Sequence, residues 1–144
     1  MGWRKSDQTE LSQMAQLDET QVAFVWAMDW WDGPLNGLAI YQNRFCWFDF
    51  HSMDEAGLNY FYVLYWLSEA QVQEAQAWHD AKGWVDFQSG QLVGRDSAKF
   101  NPHYEGPQVE ATNCQGWFWS GSNPKFYAIE VEPNEMEPLA NQSN

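Results

Sequence analysis

The segment Asp29-Trp30-Trp31-Asp32 sets two carboxylates on either side of two indoles. Carboxylate pairs whose pKa values are pushed apart act as acid and base in glycoside hydrolysis, and indole faces stack on sugar rings. The same residues also have structural uses, because Asp bonds the backbone two residues on in a turn and Trp fills cores. A second cluster, Asp49-Phe50-His51-Ser52-Met53-Asp54-Glu55, holds oxygen ligands and an imidazole that suit a divalent ion. Its spacing fits no metal loop, and the calcium pattern lacks its central Gly and terminal Glu, so a solvated polar bend is expected. His103-Tyr104-Glu105 lies in a long polar stretch of the kind that often carries function. Trp117 and Trp119 stand beside a turn, as Trp30 and Trp31 do, and Trp is the residue in which binding hot spots concentrate. The candidate binding residues are therefore Asp29, Trp30, Trp31, Asp32, Trp117, Trp119, His103, Tyr104 and Glu105. His79-Asp80 falls near a helix end, where a charge complementing the dipole is the expected role.

No Gly-rich phosphate cradle, HExxH helix, GxSxG elbow or zinc spacing occurs. Ser52 and Ser68 have no triad company in the sequence. This pattern points away from an enzyme and calls for no metal and no cofactor. The two cysteines, Cys46 and Cys114, sit far apart and outside any CxxC spacing, and are expected to behave as small buried hydrophobes. A disulfide and a reactive thiol are the alternatives.

The 144 residues suffice for one ordinary domain, placed at 1–131, with an acidic, proline-bearing mobile tail over 132–144. Ten Trp, nine Phe and six Tyr exceed what such a domain usually hides, so several rings should lie partly exposed beside acidic groups. Twenty Asp and Glu against seven Lys and Arg give a formal charge of -13. Binding to a phosphate backbone draws on clustered cations, and these seven are scattered, which argues against direct nucleic-acid binding. An anionic bilayer would repel the chain, and no apolar run reaches membrane-spanning length. The first residues turn polar at once and lack the apolar centre of a secretory signal, which predicts a cytoplasmic location.

The candidate residues must be positioned by elements that the pattern also specifies. Leu11, Met14 and Leu17 recur every three residues within Ser6 to Thr20, as in a short amphipathic helix. Gln21 to Met28 is apolar after its first residue and reads as a two-sided strand. Gly and Pro between Asp29 and Gly37 mark a loop. Leu38 to Tyr41 and Arg44 to Phe50 form a hairpin around Gln42-Asn43. A polar bend over His51 to Asn59 leads to the strand Tyr60 to Trp66. Ser68 and Gln71 have the spacing of a capping box, opening a helix over about 68–82 that Gly83 stops. Trp84 to Phe87 with Leu92-Val93, and Trp117 to Trp119 with Lys125 to Val131, read as two further hairpins flanking the long loop from Arg95 to Gln115. The expected fold class is α+β, a mainly antiparallel sheet built from hairpins with one well-capped helix packed on it.

Asp32-Gly33-Pro34-Leu35-Asn36-Gly37, followed by Leu38-Ala39-Ile40-Tyr41 and Arg44-Phe45-Cys46-Trp47-Phe48, resembles a group of small uncharacterised bacterial proteins. These carry an Asp-Gly-Pro-Leu-Ser-Gly turn ahead of an aromatic hairpin. The likeness departs at Asn36, where Ser is usual. It implies a hairpin and a bacterial or phage origin, and no activity.

Three functions compete. The first is an acidic, aromatic-rich protein-binding module, an inhibitor of the immunity or anti-defence type that covers a basic site on a partner protein. Negative charge would steer the encounter and exposed aromatics would slow dissociation. The second is a small hydrolase or carbohydrate-binding domain using the Asp29 to Asp32 segment. The third is a structural subunit that forms a homodimer through sheet edges or a Trp-rich face.

Overall fold

The structure, a computed structural model, describes residues 11–31, 33–86 and 88–121. Its elements are strands β1 (Val22–Trp30), β2 (Pro34–Tyr41), β3 (Arg44–Met53) and β4 (Asn59–Trp66), helix α1 (Glu69–Lys82), and strands β5 (Trp84–Val85), β6 (Leu92–Val93) and β7 (Cys114–Gly121). The fold class is α+β, with a mainly antiparallel sheet and one α-helix. Within the span read as one domain, the described chain forms two compact units: Ser68–Pro107, and the residues up to Leu67 together with those from Gln108 on. The tail over 132–144, and the strand expected over Lys125 to Val131, lie outside the described residues.

The larger unit is a five-stranded antiparallel sheet in the order β1-β2-β3-β4-β7. β2 and β3 are joined by Gln42 and Asn43 with φ of 54° and 61°, the two positive values that match a tight turn to the twist of its strands. β4 and β7 pair directly, so the whole Ser68–Pro107 unit is inserted in the chain between two neighbouring strands.

One sheet face carries the aromatic core. Phe24 meets Phe48 edge-on at 4.7 Å, Phe48 meets Tyr62 at 5.5 Å, and Tyr62 stacks on Phe118 at 5.5 Å. Each such pair adds about 0.5–1.5 kcal/mol beyond its buried area. Four strand intervals separate β1 from β7, about 19 Å in a flat sheet. Yet the rings of Phe24 and Phe118 lie 5.8 Å apart, which requires the sheet to coil around this cluster. Three register shifts between β1 and β2 supply local bends, with Val25 and Met28 as extra residues on β1. Gly37 allows the tight approach of the two strands, because a Cβ there would stand 2.1 Å from the Trp26 carbonyl oxygen.

Three expectations are corrected. Over the described part of Ser6 to Thr20 the chain is not an α-helix but two 3-10 turns, Leu11–Gln13 and Glu19–Gln21, with an extended piece between them. That piece is claimed by the sheet: Trp117 donates to the Ala15 carbonyl at 2.9 Å, and Leu17 donates to the Trp117 carbonyl at 2.7 Å. Asp18 caps the second turn by accepting from the Thr20 amide and hydroxyl. The loop expected from Asp29 to Gly37 shrinks to Trp31–Gly33, because Pro34 opens β2 at the first strand position, where a missing amide is tolerated. The bend expected over His51 to Asn59 shrinks in the same way, since β3 runs on to Met53. The Asp54 carboxylate then holds the turn, accepting from the Leu58 amide at 2.9 Å and from the Asn59 side-chain amide at 2.9 Å.

In the inserted unit, Ser68 and Gln71 make both bonds of the capping box, and Gly83, at φ 76°, ends α1. β5 and β6 pair as Trp84↔Val93 and Val85↔Leu92. Phe87 lies outside the described residues. Trp78 from the helix meets Phe100 at 6.4 Å and Tyr104 at 5.9 Å, so the long polar stretch is tied to α1 by its two rings.

Candidate functional site

The turn between β1 and β2 is built from a row of polar side chains on the face opposite the aromatic core. Asp29 pairs with Asn36 across β1 and β2, and Asn36 pairs with Asp49 across β2 and β3, which puts all three on one face. The Asn36 side-chain oxygen accepts from the Asp29 amide at 3.1 Å, and its nitrogen donates to the Asp29 carboxylate at 3.4 Å. Asn36 thus satisfies a backbone amide beside a bulge, where the ladder cannot. Asn36 and Asp49 are 3% and 4% exposed. Beyond this clasp the Trp31 amide donates to the Gly33 carbonyl at 2.8 Å and closes the turn.

The clasp fixes the end of β1 and leaves two indoles in solvent. Trp30 is 53% exposed and Trp31 is 68% exposed, on consecutive residues. Asp32 lies outside the described residues. Asp29 is half-buried with its carboxylate turned to an amide, so its evident work is structural.

Trp117 and Trp119, on β7, do not join this turn. Trp117 sits on the same rung as Asp29, through Asn36, Asp49 and Val63, but at the far edge of the sheet order. It is half-buried, edge-on to Phe61 at 5.8 Å. Trp119, also on β7, is 38% exposed. His103, Tyr104 and Glu105 belong to the inserted unit. There the His103 amide donates to the Asn101 side chain at 2.9 Å, and Tyr104 packs on Trp78. Burial, with the Glu74 carboxylate as a lesser cause, pushes the Tyr104 phenol up, as suits a packing residue.

The cations of the described residues are distributed unevenly. Among the described residues of the sheet unit, Arg44 is the one Lys or Arg, and its guanidinium lies 4.2 Å over the Trp66 ring. Asp18, Glu19, Asp54, Glu55 and Glu110 lie at or near the surface of that unit. Lys82, Arg95 and Lys99 belong to the inserted unit. Among the described residues no group of three or more His, Cys, Asp or Glu side chains gathers as a metal site. No helix there is long and apolar enough to cross a membrane.

Sequence reasoning missed three features. Asn36 as the clasp was hidden because its role depends on a cross-strand partner seven residues back. Trp84, Val85 and Leu92, at 63%, 55% and 48%, form an exposed apolar ribbon whose pattern alone looks like a buried strand pair. A cleft of about 360 Å³ lies beside β7, lined in part by Met14, Val63, Tyr65, Cys114 and Gln115.

The chain matches no family model, no curated protein and no solved structure.

Proposed function

We propose that this protein is an acidic docking module that covers a basic surface on a partner protein, an inhibitor of the immunity or anti-defence type acting in the cytoplasm. The observation that carries the reading is the exposed Trp30-Trp31 pair, held by the Asp29–Asn36 clasp on a unit whose described surface carries more carboxylates than cations. Large rings held by a rigid strand end lose little conformational freedom on contact and have the chemistry of interface hot spots. The -13 charge steers a basic partner toward the molecule and repels nucleic acid from it.

The hydrolase reading gains less support, because the Asp29 carboxylate is engaged by Asn36. A carbohydrate-binding role uses the same indoles, and a homodimer uses the same exposed apolar surface. One comparison separates the three. The wild-type chain and a Trp30→Ala/Trp31→Ala variant are immobilised, and a basic nucleic-acid-binding protein recovered on the wild type is titrated against both. The proposal expects binding that weakens with salt and is lost in the variant. Retention of oligosaccharides alone, or a salt-independent dimer by light scattering that the variant abolishes, would replace it.

A further inference from the structure

The inserted unit carries a surface of a different chemistry, built where α1 runs into β5. There the helix end packs on the chain leaving β6, because a Cβ on Gly83 would stand 2.5 Å from the Val93 carbonyl oxygen and 2.7 Å from the Arg95 amide nitrogen. The Trp84 ring lies on the Gly94 backbone, where a Cβ would meet it at 2.2 Å, yet Trp84 is 63% exposed. Gly94 thus sets an exposed, seated indole beside Arg95.

The cations of this junction have no carboxylate to neutralise them. Arg95 donates through Nε to the Lys82 carbonyl at 3.1 Å, and its guanidinium lies 4.3 Å over the Phe100 ring. Lys82 donates to the Gly83 carbonyl at 3.3 Å. These contacts hold both side chains in place, but among the described residues neither cation forms an ion pair. The flanking acids are engaged within their own turns: Asp86 accepts from the Gln88 amide at 3.2 Å and the Ser89 hydroxyl at 3.0 Å, and Asp96 accepts from the Ala98 amide at 3.2 Å. Burial, with Arg95 as the lesser cause, pulls the Lys82 ammonium below its ordinary value. An anionic group beside the two cations relieves their repulsion. Arg95 is exposed, and with Nε tied to a carbonyl it still presents its terminal nitrogens, the pair that a carboxylate can bridge.

We propose that Arg95 and Trp84, with Lys82 beside Arg95, dock an acidic, apolar peptide segment of a partner protein. One carboxylate of the segment pairs with the Arg95 guanidinium, and an adjacent apolar side chain covers the Trp84 ring. The chain's -13 charge is compatible with this, because at physiological ionic strength fields decay over about 8 Å and the nearest cations decide the local attraction. The surface uses none of the residues of the Trp30-Trp31 turn.

The test is fluorescence anisotropy of a short labelled peptide of alternating Glu and Leu, titrated with the intact chain at about 150 mM salt. The wild type should bind saturably. Arg95→Gln and Trp84→Ala should each weaken binding about tenfold or more, and Arg95→Lys, which keeps the charge but loses the planar fork, should weaken it as well. Arg44→Gln makes the same change in net charge in the other unit and should leave the affinity unchanged. Trp30→Ala/Trp31→Ala should also leave it unchanged, so failure of this site and failure of the docking role proposed above are read separately. Hydrogen exchange in α1 checks that each variant keeps its fold. Absence of saturable binding by the wild type, Arg95→Gln or Trp84→Ala affinity equal to wild type, or an equal loss in Arg44→Gln would overturn the site.

Discussion

The Tyr62 hydroxyl donates to the Pro34 carbonyl oxygen at 2.6 Å, inside the aromatic core. It ties the centre of β4 to the first residue of β2, the strand whose start carries the Trp30-Trp31 turn. Burial, and to a smaller degree Tyr60, pushes this phenol well above its ordinary range, so it is a donor at neutral pH. Tyr62→Phe leaves the Pro34 carbonyl buried without its donor and should cost about 1–3 kcal/mol in chemical denaturation. Tyr104 is the control. Its buried hydroxyl has no hydrogen-bond partner among the described residues, so Tyr104→Phe should lie within about 0.5 kcal/mol of wild type or be slightly stabilising.

Gly37 should not tolerate alanine. The added Cβ meets the Trp26 carbonyl oxygen at 2.1 Å and the Ala27 Cα at 2.8 Å, both backbone, so the β1–β2 pair must separate. A loss of about 3 kcal/mol or more is expected for Gly37→Ala by thermal or denaturant unfolding. Gly121→Ala, where a Cβ meets nothing within 4 Å, should be close to neutral.

Ser68→Ala removes the oxygen that accepts the Gln71 amide at 3.2 Å. The expected cost is about 1 kcal/mol, seen as faster hydrogen exchange in the first turn of α1. If the exchange protection of α1 stays unchanged, the capping box is not what starts the helix.

Asp54 should titrate below its ordinary value of 3.8. Desolvation raises this carboxyl, but the backbone amides of Asn59, Leu58 and Gly57 and the Asn59 side chain together outweigh it and lower the net value. A carboxyl depressed in the folded state stabilises the fold above its unfolded pKa, and that contribution disappears as pH falls through the folded value. The Leu58 and Asn59 amide resonances should therefore shift together at a pH below 3.8. A midpoint at or above that value contradicts the assignment.

What the sequence makes legible follows the range of the interactions involved. Ser68, Gln71 and Gly83 act within a few residues, and the helix they bound is found as read. Gln42-Asn43 likewise fixes its hairpin locally. The period-three spacing of Leu11, Met14 and Leu17 misleads, because backbone bonding to Trp117, a hundred residues on, overrides local helical preference. Gly37 and Asn36 look like loop residues until the neighbouring strand is known. There they prove to be a close approach and a clasp. The candidate site is legible to the same extent: Trp30 and Trp31 stand exposed together, whereas Trp117 and Trp119 are carried to the far edge of the sheet order by a strand pairing that no short window encodes.

Affinity capture with the wild-type chain and with Trp30→Ala/Trp31→Ala, at about 50 and about 300 mM salt, tests the docking role most directly. The account predicts that a basic protein is recovered by wild type at the lower salt, is depleted at the higher, and titrates the purified wild type at least about tenfold more tightly than the variant. Recovery that ignores both the salt and the two indoles would contradict it.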